Sequence, residues 1–174
     1  PANPADVPSL ANWQARRDLF VGVAAFRDQG WMGVRLSDRI VPLRAVAVTD
    51  NLLEVLGLES RFAESDPAAA WVSSRAATTL SGGELQPGRS VPIVPEGVLR
   101  VRSVLPRSFL LPEVDRTAPV DALVNLPIGP VIKIQGMSSQ ALDLVARLRP
   151  GVTPEMVETA LDVSMAPVGR RVSV

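Results

Sequence analysis

The stretch that decides the fold is Val145-Ala-Arg-Leu-Arg-Pro-Gly-Val-Thr-Pro-Glu155, near the end of this 174-residue chain. Apolar and polar residues alternate over Ala141–Leu148, and this alternation predicts a strand. Pro150-Gly151 predicts a turn. Thr153 is suited to cap a helix because its hydroxyl can accept a backbone N–H, and Pro154 suits the first helical position. The stretch therefore predicts a strand, a tight turn and a capped helix in direct succession.

Upstream of this stretch, predicted strands and helices interleave without a regular βαβ rhythm. Ser9 is predicted to cap a helix that begins at Leu10 and ends at about Asp18. Three strands should follow as a meander, with a turn at Asp28-Gln29-Gly30 between the first two. The remaining predictions are a helix over Asp50–Leu56, a strand over Trp71–Ser73, a helix capped by Ser74, a hairpin of Val91–Val94 with Val98–Leu105, and strands over Val120–Leu126, Val131–Ile134 and Val168–Val174. This mixture predicts an α+β fold.

Composition excludes several kinds of protein. Hydrophobic residues make up 47% of the chain, which is too many for a disordered protein. No apolar run reaches the ~18–20 residues that a membrane-spanning helix needs. The 18 basic residues are balanced by 18 acidic ones, whereas a nucleic-acid-binding domain usually carries a basic excess. We therefore expect no nucleic-acid partner.

The chain contains no histidine, no cysteine and no tyrosine. Histidine-based general base catalysis, thiol nucleophiles, disulfides and zinc sites built on His or Cys are therefore excluded. Carboxylates remain, so a carboxylate-dependent hydrolase stays open as an alternative function. Glu113, Asp115 and Asp121 lie in one loop-rich stretch and are candidate cation ligands, although their spacing lacks the EF-hand pattern. We expect no catalytic residue, no cofactor and no metal.

Five segments, in order along the chain, resemble one family. The segments are Leu10–Phe26 with its Asn-Trp-Gln-Ala-Arg run, Ala47-Val-Thr-Asp-Asn-Leu-Leu-Glu-Val-Leu-Gly57, Trp71–Arg89, Val101-Arg-Ser-Val-Leu-Pro106 with Phe109 and Pro112, and Val145–Glu155. Together they resemble the MacB-like periplasmic core domain, which is the extracytoplasmic part of certain ABC-transporter permeases. The chain departs from the family pattern at Gly83-Glu84-Leu85-Gln86-Pro87, where a Gly-Asp-Pro element is usual, and in a short Pro-rich stretch before Trp13.

The resemblance implies an architecture and a role. It implies that both chain ends, residues 1–45 and 127–174, form a porter-like α/β subdomain, and that 46–126 form an inserted, mostly β subdomain. It further implies a non-catalytic domain on the periplasmic or extracellular face of the cell membrane, anchored through its parent protein. The implied partners are an ATPase subunit or domain, reached through the parent's membrane helices, and a periplasmic adaptor or a second permease copy.

Candidate contacts with a partner are Trp31, Arg100 and Arg102. Trp31 follows a glycine at a predicted turn, and an exposed tryptophan there would be suited to an interface. Arg100 and Arg102 share one face of a predicted strand. The alternative is that this face is exposed to solvent and contacts no partner. A stand-alone ligand-binding module with an exposed apolar groove also remains an alternative.

Overall fold

A computed structural model describes residues 7–58, 66, 68–81, 87–95, 97–111, 119–126 and 142–162. Its elements are α1 (Val7–Ala15), β1 (Phe20–Arg35), β2 (Ile40–Val48), α2 (Leu52–Val55), β3 (Ala69–Val72), α3 (Ser74–Ser81), β4 (Ser90–Val94), β5 (Val98–Val104), β6 (Ala122–Asn125), β7 (Asp143–Leu148) and α4 (Pro154–Asp162). The α+β class is confirmed. The predicted strands over Val131–Ile134 and Val168–Val174 lie outside the described residues.

The chain forms two compact units, each assembled from separated segments. Unit 1 comprises Pro1–Phe26, Thr49–Arg61 and Ile128–Val174, and unit 2 comprises Arg27–Val48 and Phe62–Pro127. Both chain ends therefore lie in one unit and most of the middle in the other. The predicted boundaries placed residues 1–45 with the C-terminal segment and 46–126 in the inserted subdomain. In the structure, residues 27–45 belong to unit 2 and residues 49–61 belong to unit 1. The identification of unit 1 as porter-like stays a prediction.

Local hydrogen bonds and packing explain where these two segments go. The end of β2 runs parallel to β6, with Ala45 opposite Ala122 and Val48 opposite Asn125, so β2 belongs with the middle of the chain. By contrast, α2 packs against β7 in unit 1. Local sequence patterns cannot predict either association, because both β2 and α2 contact segments that lie far along the chain.

Unit 1 is built around β1 and β7. The two strands pair antiparallel from Phe26 opposite Asp143 to Phe20 opposite Leu148, with an irregularity between Phe20 and Gly22. Trp13 of α1 stacks on Phe20, with ring centroids 5.4 Å apart, and both side chains are buried, as the sequence indicates.

The strand, turn and helix predicted around residues 145–155 are confirmed. Gly151 has φ +85°, and the Thr153 hydroxyl accepts a hydrogen bond from the Met156 backbone N–H at 3.4 Å. Val157 and Leu161 of α4 are buried, so the predicted apolar face of the helix packs inward. These features depend on residues within one short stretch, which is why the pattern predicts them correctly.

Unit 2 is a closed sheet. The strands follow the order β2-β6-β3-β5-β4-β1, and β1 also pairs with β2, which completes the cycle. β2 with β6 and β3 with β5 are parallel, whereas the β3–β6, β4–β5 and β1–β4 pairs are antiparallel. A closed sheet leaves no long unpaired edge. Its core contains, among others, Val34, Leu43, Val72, Leu80, Leu99 and Val101.

The predicted turn at Asp28-Gln29-Gly30 is wrong, because β1 runs through it as one strand of 16 residues. The chain bends there without reversing. The Asp28 carboxylate accepts a hydrogen bond from the Gly30 N–H at 2.8 Å, and Gly30 has φ +73°. Residues of this kind favour turns, but here the alternation resumes at Met32 and Val34, which pack on the same core.

Several helix boundaries also differ from the predictions. The helix α1 runs from Val7 to Ala15, not from Leu10 to Asp18, and turn-type hydrogen bonds such as Leu19 N–H to the Arg16 carbonyl then lead into β1. The helix α2 is shorter than predicted, Leu52–Val55. The side chain that caps α3 is that of Ser73, whose hydroxyl accepts from the Ala76 N–H at 3.1 Å, not that of Ser74. Adjacent serines give the same signal, so the pattern could not distinguish them.

Gly57 terminates α2 and offers a test of the packing in unit 1. Its φ is +87°, and a Cβ added there would lie 2.6 Å from the Arg147 guanidinium nitrogen Nη2 of β7. Gly57→Ala strains the backbone, whereas the Arg147 guanidinium is the end of an exposed, flexible side chain and can move aside at little cost. We therefore expect a loss of about 1–3 kcal/mol in the free energy of unfolding, measured by urea titration.

Gly151→Ala is the matched control. Gly151 has nearly the same φ, +85°, but no atom lies within 4 Å of its added Cβ. Because the backbone strain is nearly the same at both positions, Gly151→Ala should lose a similar amount of stability. A much larger loss for Gly57→Ala would show that the Arg147 guanidinium is held in place over Gly57.

Candidate functional site

The three predicted contact residues lie in unit 2, and the structure gives them different environments. Trp31 is 64% exposed on β1. Arg100 and Arg102 are both on β5 with half-exposed side chains, and both approach the carboxylate of Asp66. The structure shows no direct contact between Trp31 and either arginine among those described. Their role as partner contacts stays a prediction.

Asp66 is a buried carboxylate that sequence reasoning missed. Its Oδ2 accepts a hydrogen bond from Arg100 Nη1 at 2.8 Å and lies 3.9 Å from Arg102 Nη2. Its Oδ1 accepts from the Ala68 N–H at 3.1 Å, at the entry to β3. One carboxylate therefore faces two guanidinium groups, which leaves a positive charge at the surface of β5. Nothing local indicates this pairing, because 34 residues separate Asp66 from Arg100.

Asp121 is the second buried carboxylate, and it joins three segments of unit 2. Its Oδ1 accepts two hydrogen bonds from Arg75, from Nε at 3.1 Å and from Nη2 at 2.7 Å. Its Oδ2 accepts the Arg44 backbone N–H at 3.0 Å. The Asp121 N–H donates to the Arg44 carbonyl, and the Ser73 N–H donates to the Asp121 carbonyl. The residue thus connects β2, the β3–α3 junction and the start of β6.

This geometry bears on the cation site considered for Glu113, Asp115 and Asp121. Arg75 occupies the position beside Asp121 where a cation would need to bind, so a guanidinium already balances this carboxylate. Glu113 and Asp115 lie outside the described residues. No group of three His, Cys, Asp or Glu side chains suited to a metal occurs within the described ranges. The arrangement at Asp121 is that of a structural ion pair.

Asp28 and Arg44 form a third ion pair, at the bend of β1. Arg44 Nη2 lies 2.5 Å from Asp28 Oδ2, and the Arg44 side chain is only 8% exposed. The hydrogen bond from Arg44 holds the pKa of the Asp28 carboxyl below its ordinary value, and the Gly30 N–H acts in the same direction. The bend, Arg44 and β2 are therefore held together electrostatically.

An apolar surface lies on the outside of the closed sheet. We define the outer apolar face as Trp31 of β1, Ile40 of β2, Pro92 and Val94 of β4, and Val98 of β5. A Cβ at Gly33 would lie 3.2 Å from Ile40 Cγ2 and 3.5 Å from Val94 Cβ, so the three strands meet there. Pro92 pairs directly with Val98. Sequence reasoning found only Trp31 of this set, because the other four belong to ordinary alternating strands.

Comparison with solved structures identifies the architecture. A domain of a protein assigned as a permease from Porphyromonas gingivalis aligns at TM-score 0.64 and 17% identity, over 92% of this chain and 68% of that one. The periplasmic region of MacB from Actinobacillus actinomycetemcomitans aligns at TM-score 0.64 and 14% identity, over 94% and 79%. The chain has the MacB-like periplasmic-domain fold.

A third solved structure agrees with the MacB-like fold. The extracellular domain of the ABC-type transporter YknZ from Gram-positive bacteria aligns at TM-score 0.58 and 14% identity, over 85% of this chain and 74% of that one. No protein-family model and no curated protein matches the chain in sequence. Within the described ranges, no helix has both the length and the apolar character to cross a membrane.

Asp121 should contribute more to stability than its partner Arg75. Asp121→Asn removes the negative charge that accepts hydrogen bonds from two N–H groups of Arg75 and from the backbone N–H of Arg44. We expect it to lower the free energy of unfolding by about 2–3 kcal/mol. Arg75→Gln is the matched variant, because it removes the partner charge but leaves the Asp121 carboxylate bonded to the Arg44 N–H, so we expect a smaller loss than for Asp121→Asn. Equal losses in the free energy of unfolding, measured by urea titration, would show that the hydrogen bond from the Arg44 N–H to the Asp121 carboxylate adds no stability.

The Asp28–Arg44 pair predicts a pH dependence of stability. The folded-state pKa of Asp28 lies below its ordinary value, so the ionised carboxylate stabilises the fold above that value. This contribution is lost as pH falls through the lowered folded pKa. Asp28→Asn should therefore be less stable than the parent chain at pH 7, and the difference should shrink in urea titrations carried down to acidic pH. A difference that stayed constant with pH would contradict the electrostatic role.

Proposed function

We propose that this chain is the extracytoplasmic domain of an ABC-transporter permease and that it acts without catalysis. The observation that carries the proposal is the fold itself. Permease and transporter domains of known structure align with 85–94% of the chain, including both units. In this proposal the chain lies on the periplasmic or extracellular face of the cell membrane, and its parent is anchored in that membrane.

The chemistry of the described residues supports a non-catalytic role. Asp66 and Asp121, the two buried carboxylates, are each bound by arginine. Each of these carboxylates accepts hydrogen bonds both from an arginine and from a backbone N–H, so its oxygens are engaged in holding the fold together. The chain also lacks His, Cys and Tyr, which supply most other catalytic groups.

Two roles follow for such a domain, and the structure of unit 2 is compatible with both. Asp66 and Asp121 bind arginines that belong to other segments of unit 2, and such links between segments support a role in transmitting ATP-driven motion. Trp31, Arg100 and Arg102 are exposed on this unit and could serve as contacts for a periplasmic adaptor or a second permease copy. The ATPase would act from the cytoplasm through the parent's membrane helices.

The gene that encodes the chain provides the test. Reading the DNA on both sides should reveal apolar segments of about 20 residues flanking the domain in the same reading frame, and an ATPase encoded in the same or an adjacent gene. The full-length product should remain in the membrane fraction after an alkaline carbonate wash, which removes peripheral proteins.

A reading frame without apolar flanking segments, or a full-length product released by the wash, would contradict the proposal. A tagged version of the 174-residue chain alone is the control for the wash, since it has no described membrane-spanning helix.

A further inference from the structure

The outer apolar face consists of side chains that project from the closed sheet. Trp31 is 64% exposed, Ile40 56% and Val98 46%. Trp31 and Gly33 are two residues apart on β1 and lie on the side opposite to Met32 and Val34, which contact the core. Because Gly33 has no side chain, Trp31 has no bulky neighbour on its own strand in that direction and stands clear of the sheet.

Arginines surround this face. Arg35 follows Gly33 on the same side of β1, and Arg39 immediately precedes Ile40. On β5, Val98, Arg100 and Arg102 alternate along the strand and so lie on the same side of it. All four arginines are exposed. These four arginines, which neighbour the outer apolar face along β1, β5 and the β1–β2 turn, are here called the cationic margin.

The carboxylates near these strands only partly neutralise that margin. Asp66 faces both Arg100 and Arg102, and Asp28 is paired with the buried Arg44. Asp38, in the turn between β1 and β2, is the remaining carboxylate that the structure describes on these four strands and that turn. The described residues therefore carry an excess of positive charge around the outer apolar face.

We propose that the outer apolar face binds an anionic membrane surface. Tryptophan favours the headgroup level of a bilayer, where its ring is partly in hydrocarbon and its N–H is hydrated. Projecting apolar side chains with cationic neighbours are typical of proteins that lie on a membrane, and each arginine near the surface strengthens attraction to anionic lipids. Trp31 and Ile40 would enter the headgroup region while Arg35 and Arg100 contact lipid phosphates.

A second copy of the chain fits this face less well. In a symmetric dimer the same surface of each copy would meet, so the arginines around one copy's face would be brought close to those around the other's and repel them. An acidic protein would match the charge, but it would need a cavity shaped for Trp31, whereas a lipid surface adapts to a projecting ring. Binding to lipid requires only the folded chain, so it is independent of the proposed transporter role.

Vesicle sedimentation tests the proposal. The chain should sediment with large unilamellar vesicles of phosphatidylcholine containing about one third phosphatidylglycerol, and far less with phosphatidylcholine alone, because the anionic lipid supplies the surface potential. Binding should weaken as salt is raised, since salt screens the attraction. Tryptophan emission should shift to shorter wavelength on binding, and the shift should come from Trp31.

Variants assign the binding to the face. Trp31→Ser should abolish sedimentation, and Arg35→Gln should weaken it by about fivefold, the loss expected for one arginine near an anionic surface. Met156→Ser and Arg149→Gln are matched controls, because Met156 is 50% exposed on α4 and Arg149 is exposed just before it. Both should sediment like the unmodified chain, and circular dichroism should confirm that all four variants fold.

Three results would overturn the proposal. The first is a failure of the vesicle experiment itself: either Trp31→Ser sediments as well as the unmodified chain does, or the unmodified chain sediments with neither kind of vesicle. The second is a concentration-dependent dimer in analytical ultracentrifugation that Trp31→Ser abolishes while vesicles do not bind, which would make a second copy the occupant. The third is binding to a synthetic Leu/Glu peptide without binding to anionic vesicles, which would make the occupant an acidic protein.

Discussion

The ion pair and backbone bonds of Asp121 connect the parts of unit 2 that the chain order keeps far apart. Its carboxylate accepts from the Arg44 N–H across 77 residues and from Arg75 across 46. Its own N–H and carbonyl bond to Arg44 and Ser73. β2, the β3–α3 junction and β6 therefore meet at one buried residue. The parallel β2–β6 pairing, and with it the closure of the sheet, begins immediately beside this point.

Closure of the sheet determines which side chains are exposed on the surface of unit 2. The inner side of each strand supplies the apolar core, so the exposed alternate residues of β1, β2, β4 and β5 form one continuous outer side. That side carries Trp31 and the arginines of β5. The closed sheet thus presents exposed apolar and cationic side chains together on its outer side.

Sequence reasoning succeeded where the signals are local. The strand, Pro150-Gly151 turn and Thr153-capped helix were predictable because each depends on a few adjacent residues, and the β4–β5 hairpin was predictable for the same reason. It failed at Asp28-Gln29-Gly30, where a turn-like composition bends a strand that long-range pairing holds continuous. It also missed Asp66 and the Arg75–Asp121 pair, because contacts between residues tens of positions apart leave no periodic pattern. Trp31 was identified as a candidate contact, whereas the rest of the outer apolar face required the register of four strands.

In the proposed function, the chain lies outside the cytoplasm and belongs to a membrane-anchored permease. The chain has no cysteine, so one introduced at the exposed Ser37, in the β1–β2 turn, is a unique label site within it. In the full-length parent carrying Ser37→Cys, with its other cysteines replaced, a membrane-impermeant maleimide should label this position in intact cells. Labelling that occurs only after the cells are lysed would place the chain in the cytoplasm and contradict the claim.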